Sequence, residues 1–291
     1  MIAKRLGGAV SSGSYQRVST LDQALAALAS GCTILAGGTD YYPARVGRAL
    51  DDELVDITAL AELRGIAEEE THWRIGATTT WSELIATDLP PLFDGVRLAA
   101  REVGGMQIQN AGTLGGNLCN ASPAADGVPP LLALDADVEL CASSGSRRRL
   151  PLAEFVVGNR RTARAPDELL TAILVPKPQG RASGHFLKLG ARRYLVISIV
   201  MVGTLLDLDT SGHVLRAGVA VGASAATARR LGGLEAAMIG RKADASLADL
   251  VREEHLEPLS PIDDVRGSAA YRRDAALTLI RRSLATLGSR T

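Results

Sequence analysis

Two short glycine-rich loops, about 75 residues apart, constrain the fold of this 291-residue chain more than any other feature. The first is Gly37-Gly38-Thr39-Asp40, directly after the apolar run 32–36, and the second is Gly112-Thr113-Leu114-Gly115-Gly116-Asn117. Glycine tolerates φ > 0 and lets a ligand approach the backbone, and successive N–H groups in such a turn form a concave anion site. One Gly-Gly turn alone is more often a tight corner. Two converging loops predict a site that wraps the diphosphate of a dinucleotide.

These loops differ from the commoner nucleotide-binding motifs. No G-x-G-x-x-G follows an apolar run and no G-K-[ST] occurs, which excludes the Rossmann fingerprint and the P-loop. Segment 110–127 is rich in Gly, Asn, Ser and Pro, and this composition predicts irregular structure. Asp126 at its end has two interpretations. Its carboxylate accepts hydrogen bonds from ribose or ribityl hydroxyls, or it caps the helix predicted from Val128.

Hydrophobic periodicity predicts a mixture of helices and strands along the chain. Helices are expected over 19–30, 81–87, 96–104, 128–134, 225–239 and 271–287. Strands are expected over 32–36, 54–57, 73–75, 137–141, 184–189, 197–208 and 214–221, with a hairpin turn at Thr210-Ser211-Gly212. The last helix is expected to carry its arginines on the outer side, namely Arg272, Arg273, Arg281 and Arg282.

A break near 175–180 divides the chain into two predicted domains, 1–177 and 178–291. Two prolines and a glycine fall there, in Val175-Pro176-Lys177-Pro178-Gln179-Gly180. The charge changes sign at the same place, from a net −6 over 1–175 to a net +6 over 176–291. Two halves of opposite charge indicate two units docked on each other.

Composition excludes several classes of protein. The 32 basic and 32 acidic residues show no excess of the kind a nucleic-acid binder carries. No stretch of about 18 apolar residues predicts a transmembrane segment, and the first residues do not resemble a signal peptide, so a cytoplasmic location is expected. Three scattered cysteines cannot alone supply the four thiolates of a [2Fe–2S] cluster, and four scattered histidines suggest no metal site.

At the two glycine loops the sequence resembles the FAD-binding medium subunit of molybdenum hydroxylases, the xanthine dehydrogenase and carbon monoxide dehydrogenase group. Further matching segments follow in the family's order and cover nearly the whole chain. They are 75–81, 158–162, 168–170, Phe186-Leu187-Lys188-Leu189 with Arg192-Arg193, and 263–268 with Tyr271-Arg272-Arg273. This chain departs from the family in having Tyr41 and Tyr42 after the first loop, which either pack near the cofactor or fill the core.

The resemblance implies an α+β fold and a set of cofactor-binding residues. The first domain would be the two-part FAD-binding domain of the vanillyl-alcohol-oxidase-like (PCMH) type, followed by a smaller C-terminal domain of sheet plus helices. Backbone N–H groups of both loops would hold the FAD diphosphate, Thr113 and Asn117 would add side-chain hydrogen bonds, and Asp126 would hold the sugar. Leu170 would contact the flavin through its backbone, and Lys188 would approach it from the second domain. The implied cofactor-binding set is Ala36, Gly37, Gly38, Thr39, Asp40, Thr113, Leu114, Gly115, Gly116, Asn117, Asp126, Leu170 and Lys188.

The implied role is electron transfer, without a catalytic residue of the chain's own. Substrate would be hydroxylated at molybdopterin on a large partner subunit, and electrons would pass through two [2Fe–2S] clusters on a small subunit to this FAD. The flavin would pass them to NAD, a quinone, a ferredoxin or O2. The alternatives are a free-standing FAD-dependent oxidoreductase with its own substrate pocket, and a non-catalytic scaffold that kept the fold.

Overall fold

A computed structural model describes residues 13–48 and 50–290 of the chain. The first of its units is a small parallel sheet with strand order β1-β3-β2, and one helix packs on it. Thr20 begins that helix, because its hydroxyl accepts the N–H of Gln23. Leu21, Leu25 and Leu28 then face the sheet. The elements are β1 (Tyr15–Arg17), α1 (Leu21–Ala29), β2 (Thr33–Leu35) and β3 (Leu54–Asp56).

The second unit is a five-stranded antiparallel sheet with strand order β4-β5-β10-β6-β7. Helices cover one face of it and enclose the largest apolar core, which contains Trp81, Phe93 and Phe155. The strands are β4 (Ile66–Glu68), β5 (His72–Gly76), β6 (Asp137–Ala142), β7 (Arg147–Pro151) and β10 (Glu168–Pro176), with the small β8 (Val156–Gly158) and β9 (Arg161–Thr162) forming a separate pair. The helices are α2 (Trp81–Ala86), α3 (Asp94–Glu102), α4 (Met106–Ala111), α5 (Leu114–Asn120), α6 (Val128–Ala133) and α7 (Leu152–Phe155).

The third unit is an antiparallel sheet with strand order β11-β12-β13-β14. Every residue of β12 is buried, because α6 covers one face of the sheet and α9 covers the other. This burial on both faces explains why the β12 sequence is mostly apolar rather than alternating, with Thr204 and Asp207 as its polar residues. The elements are β11 (Arg181–Leu189), β12 (Val200–Leu208), β13 (Val214–Gly222), β14 (Arg229–Arg230), α8 (Gly232–Met238) and α9 (Ala269–Gly288).

Glycines let the backbone of α6 pack directly against the backbone of the C-terminal sheet. A Cβ added at Gly203 would lie 2.5 Å from the backbone nitrogen of Pro130, and one added at Gly218 would overlap the carbonyl oxygen of Ala133. Leu205 and Ala220 of this sheet belong to the same apolar core as the helices of the second unit. The two halves of the chain therefore share one continuous core.

Ion pairs between the halves follow the charge asymmetry of the sequence. In four of them the acid lies within 1–177 and the base within 178–291. They join Asp126 to Lys188 at 2.8 Å, Asp135 to Arg216 at 2.5 Å, Asp135 to Arg230, and Asp94 to Arg290 at 3.8 Å. The expectation that oppositely charged halves dock on each other is confirmed by these pairs.

Most predicted elements are present, with three corrections. The segment 110–127 is wrong as an irregular loop, because α4 and α5 occupy much of it. The helix predicted over 225–239 begins only at Gly232, after the short strand β14. Arg272 is wrong as an outward-facing residue. It is 2% exposed, and its Nη1 donates to the carbonyl oxygens of Ile199 and Ala223 at 2.7 and 2.8 Å. None of the helices in the described residues is both long and apolar enough to cross a membrane.

Candidate functional site

A cleft of about 880 Å³ lies between the small parallel sheet, α5 and the start of β10. This volume falls within the range of about 300–1,000 Å³ that is typical of small-molecule and cofactor sites. Ten of the thirteen residues predicted to bind the cofactor line it, namely Ala36, Gly37, Gly38, Thr39, Asp40, Thr113, Gly115, Gly116, Asn117 and Leu170. Leu114 is fully buried beneath α5, and Asp126 and Lys188 lie outside the lining.

The first glycine loop turns its backbone donors away from the rest of the protein. Gly38 has φ +66°, the left-handed region that favours glycine. Within the described residues, no acceptor takes the N–H groups of Gly37, Gly38 or Thr39. Consecutive unpaired amides around a left-handed residue form an anion-binding concavity. The loop thus has the donors that a diphosphate requires.

The two glycine loops are in direct contact. A Cβ added at Gly37 would overlap the carbonyl oxygen of Ala111, immediately before the second loop. On the far side of that loop, the N–H of Trp81 donates to the carbonyl oxygen of Gly112 at 3.2 Å. Only glycine at position 37 permits this spacing, so the loops meet as the sequence predicts.

The second loop uses its amides internally, unlike the first. Thr113 is the N-cap of α5, and its Oγ1 accepts the N–H of Gly116 at 3.0 Å. The N–H groups of Leu114 and Gly115 donate to the carbonyl oxygens of Thr79 and Ala77 at 3.0 and 2.9 Å. Of the backbone N–H donors expected at the second loop, that of Thr113 has no acceptor within the described residues. The Thr113 hydroxyl proton and the Asn117 side chain remain beside it.

Asn117 carries a buried polar atom without a partner. Its Oδ1 has no hydrogen bond within the described part of the chain, although the residue lines the cleft. Buried polar atoms are nearly always paired, so an unpaired one beside a cleft indicates a ligand contact. The residue that the resemblance assigned to cofactor binding thus lines the cleft and has one buried hydrogen-bonding atom unused.

Leu170 lies where β10 leaves its partner β5. The pairing of β10 with β5 begins only at Ala172, and the register with β6 shifts between Leu170 and Ala172. A bulge of this kind frees backbone groups and redirects the strand. The edge of the strand at Leu170 is therefore not covered by β5, and the residue lines the cleft.

Asp126 and Lys188 bind each other rather than line the cleft. Lys188 Nζ lies 2.8 Å from Asp126 Oδ2, and Ser198 Oγ donates to Asp126 Oδ1 at 2.8 Å. Their side chains are 11% and 5% exposed. Burial raises the pKa of Asp126 above its ordinary value, and Lys188 and Ser198 oppose that shift. The alternative that Asp126 caps α6 is wrong, because Gly127 is the N-cap and no side chain caps that helix.

Both halves of the chain match families of known function. A model of the FAD binding domain in molybdopterin dehydrogenase matches residues 9–178. A model of the CO dehydrogenase flavoprotein C-terminal domain matches residues 185–287. The chain belongs to the FAD-binding subunits of the molybdenum hydroxylase family. The implied two-part FAD-binding fold with a C-terminal domain is confirmed for this flavin subunit.

Full-length relatives and structures resemble the flavin subunit closely. It is 30% identical to the putative xanthine dehydrogenase FAD-binding subunit of Escherichia coli (strain K12), over 92% of this chain and 94% of that protein. It superposes on a chain of the reconstituted CO dehydrogenase from Oligotropha carboxidovorans with a TM-score of 0.87 and 28% identity, covering 96% and 99% of the two chains. A chain of the carbon monoxide dehydrogenase from Hydrogenophaga pseudoflava that lacks the Mo-pyranopterin moiety gives a TM-score of 0.82 at 27% identity, covering 99% and 98%.

Three arginines that the sequence did not identify as binding residues also line the cleft of the flavin subunit. Arg160 donates to both Asp40 and Asn120, Arg164 donates to the carbonyl oxygen of Glu168 at 2.6 Å, and Arg45 stacks 3.8 Å over the Tyr41 ring. Arg160 lies within 158–162, a segment that resembles the family, and this resemblance could have identified it as a binding residue. Arg45 and Arg164 fall outside the matching segments.

The two tyrosines after the first loop lie at the edge of the cleft rather than in the core. Tyr41 lines the cleft, and its hydroxyl donates to Asp52 at 2.6 Å. Tyr42 is 45% exposed and packs edge-to-face on Tyr41 with ring centroids 5.3 Å apart. Filling of the core is therefore wrong for both residues, and packing near the cofactor stays a prediction.

Cys119 brings a thiol to the cleft of the flavin subunit. The residue is exposed and lines the cleft. Desolvation by the protein packed around the thiol raises the pKa of Cys119 to about 11, and the charge of Arg164 opposes the shift. The thiol is therefore neutral and weakly reactive near pH 7.

Proposed function

We propose that the chain is the electron-transfer subunit of a multi-subunit molybdenum hydroxylase. It takes electrons from [2Fe–2S] clusters on a small partner subunit, which receives them from molybdopterin on a large subunit. It passes them to an external acceptor, which is NAD, a quinone, a ferredoxin or O2. The bound flavin supplies the redox chemistry, and this chain supplies its position and its electrostatic surroundings.

The unpaired amides of the first glycine loop carry this proposal. Gly37, Gly38 and Thr39 would hold the FAD diphosphate with their N–H groups, flanked by Ala36 and Asp40. From the second loop, the Thr113 hydroxyl and the Asn117 side chain would add hydrogen bonds. Gly115 would hold the loop in place, because the absence of a side chain lets it pack against Ala77, and Gly116 would line the cleft. Leu114 would contribute by anchoring α5, since it is fully buried.

The flavin end of the cofactor would lie toward β10 and the second domain. The open edge of β10 at Leu170 supports a backbone contact there. Lys188 Nζ lies 3.4 Å from the carbonyl oxygen of Glu102, and the next residue, Val103, lines the cleft. Lys188 would approach the flavin from this side while it stays paired with Asp126, which would lie toward the sugar. We propose a domain boundary after Lys177, because β10 ends at Pro176 and β11 of the next sheet begins at Arg181.

A separate substrate-oxidising subunit is favoured by what the cleft contains. Among its lining residues there is no histidine, and the only acids are Asp40, Asp167 and Glu168. Arg160 and Arg148 bind two of them, Asp40 and Glu168. The cysteines are dispersed, since Cys32 and Cys119 line the cleft and Cys141 is buried, and three thiols are too few for a cluster.

The proposal is tested by releasing the cofactor and by isolating the complex. Acid denaturation of the purified protein should release FAD, whereas FMN or no flavin would refute the cofactor assignment. A tagged chain should copurify with a molybdenum subunit and an iron–sulfur subunit. Alone, it should reduce an artificial dye with NADH at most and oxidise no purine, aldehyde or CO. Turnover of a substrate by a lone homo-oligomer would instead establish the free-standing oxidoreductase.

A further inference from the structure

Arg160 bridges the two sides of the cleft. Its Nη1 donates to Asp40 Oδ2 and to Asn120 Oδ1, both at 2.8 Å. Asp40 ends the first glycine loop, and Asn120 ends α5, which follows from the second. One guanidinium nitrogen thus connects the two loops whose surfaces face each other across the cleft. Within the described residues, the Nε and Nη2 groups of Arg160 have no acceptor.

The backbone of Arg160 is held in an unfavourable conformation. Its φ is +54°, in the left-handed region that costs energy for a side chain with a Cβ. The turn between β8 and β9 requires this conformation, and the N–H of Arg160 donates to the carbonyl oxygen of Ala121 at 2.9 Å. Glycine is the residue best suited to such a position.

Stability does not explain why an arginine occupies this position. The side chains of Arg160 and Asp40 are 57% and 48% exposed, and ion pairs between exposed groups contribute little to folding. A strained residue with little structural benefit, located beside a cleft, indicates a functional constraint. The constraint must therefore concern what the cleft binds.

We propose that Arg160 is an anion-binding strap, which holds the diphosphate of a bound dinucleotide against the first glycine loop. This proposal rests on the proposed function. The loop amides supply hydrogen bonds without a charge, whereas the guanidinium of Arg160 is charged and keeps its Nε and Nη2 donors unused while Nη1 binds Asp40. A ligand that fills the cleft displaces water around the guanidinium, which strengthens its attraction to phosphate. Arginine suits this task because its planar fork matches phosphate oxygens.

The variant Arg160→Gly separates an effect on cofactor binding from an effect on folding. Glycine relieves the strained φ, so the flavin-free variant should melt at the same temperature as the wild type or higher. Its dissociation constant for FAD, measured by flavin fluorescence quenching, should rise by about 10–100-fold, as expected for the loss of a charge-assisted contact. The affinity of the wild type should fall with added salt more steeply than that of the variant. Binding of riboflavin, which has no phosphate, should change little.

Two further variants make the test decisive. Arg161→Ala removes the same charge from the next residue, whose side chain is exposed and makes no hydrogen bond within the described residues, so FAD affinity should be unchanged. Arg160→Lys keeps a charge but loses the fork, so its affinity should be intermediate, and it carries the test if the glycine variant fails to fold.

The outcomes distinguish the strap from the function on which it rests. FAD bound by the wild type and equally well by both Arg160 variants would overturn the strap and leave the proposed function intact. No flavin binding by the wild type would overturn the proposed function itself. An equal loss of FAD and riboflavin affinity would show that Arg160 shapes the cleft without binding phosphate, and would also overturn the strap.

Discussion

Lys188→Met in flavin-depleted protein should strongly destabilise the fold, because it breaks a buried ion pair between the two halves of the chain. The Lys188 and Asp126 side chains are 5% and 11% exposed and lie 2.8 Å apart. Removing one partner of such a pair leaves an uncompensated buried charge and costs about 3–5 kcal/mol. With a urea dependence of about 2 kcal/mol per M, the unfolding midpoint should fall by about 1.5–2.5 M.

The chain offers a matched control in another lysine. Lys177 pairs with Glu68 at 2.9 Å, but those side chains are 33% and 56% exposed. Because exposed pairs contribute about 0–1 kcal/mol, Lys177→Met should shift the midpoint by less than about 0.5 M. The contrast between two lysines in equally short ion pairs isolates the effect of burial.

The pH dependence of Lys188→Met identifies the group responsible. In this variant Asp126 loses its cation, so its pKa in the folded protein rises further above the ordinary value that it regains on unfolding. Between these two values the folded state holds a proton that the unfolded state lacks, so stability is gained as pH falls. The deficit against wild type should therefore shrink as pH falls through the raised pKa. The double variant Lys188→Met with Asp126→Asn should recover most of the loss at neutral pH.

Chemical denaturation followed by tryptophan fluorescence and by circular dichroism measures each midpoint. An unchanged midpoint for Lys188→Met at neutral pH would refute the buried pair. So would a deficit that stays constant from neutral to acidic pH, because it would show that an unpaired Asp126 carboxylate is not the cause.

Two further predictions concern the cleft. Gly37→Ala should lower stability by about 1–3 kcal/mol and lose FAD, because its Cβ would overlap the carbonyl oxygen of Ala111, whereas Gly232→Ala meets no atom within 4 Å and should change neither the urea midpoint nor flavin occupancy. Alkylation of Cys119 by iodoacetamide, followed by peptide mass spectrometry, should be slow at pH 8 and accelerate toward pH 11, because its pKa is about 11, and FAD should protect it. Fast labelling at pH 8, or labelling that FAD does not slow, would contradict the placement of this thiol in the cofactor cleft.

The sequence predicts those elements whose signals are local. Helix α1 is recognisable because Thr20 caps it and its leucines share one face. The hairpin of β12 and β13 follows from two apolar runs around Ser211-Gly212. The glycine loops are recognisable because close backbone approach restricts the residue type, and the resemblance to a family rests on such positions.

The remaining features depend on contacts that are distant in the sequence. The second loop is glycine-rich yet helical, because the Thr113 cap and the backbone of 77–79 together satisfy its amides. The helical periodicity places Arg272 on a solvated face, but three oxygen atoms from other segments surround its guanidinium. The pairing of Asp126 with Lys188 spans 62 residues, and neither residue carries a local signal that names the other.

The close seating of α6 on the C-terminal sheet has a consequence for cooperativity. Gly203 and Gly218 bring helix and sheet together at backbone distance, so no layer of side chains can slide between them. The boundary between the two matching families is thus not a boundary between independently melting units. If residues 178–291 were removed, Pro129 and Leu131 would face water, and the first domain would lose part of the core that it shares with the second. The C-terminal sheet therefore supports α6, the helix that follows the cofactor-binding segment. We expect the two parts of the chain to unfold together in one cooperative transition.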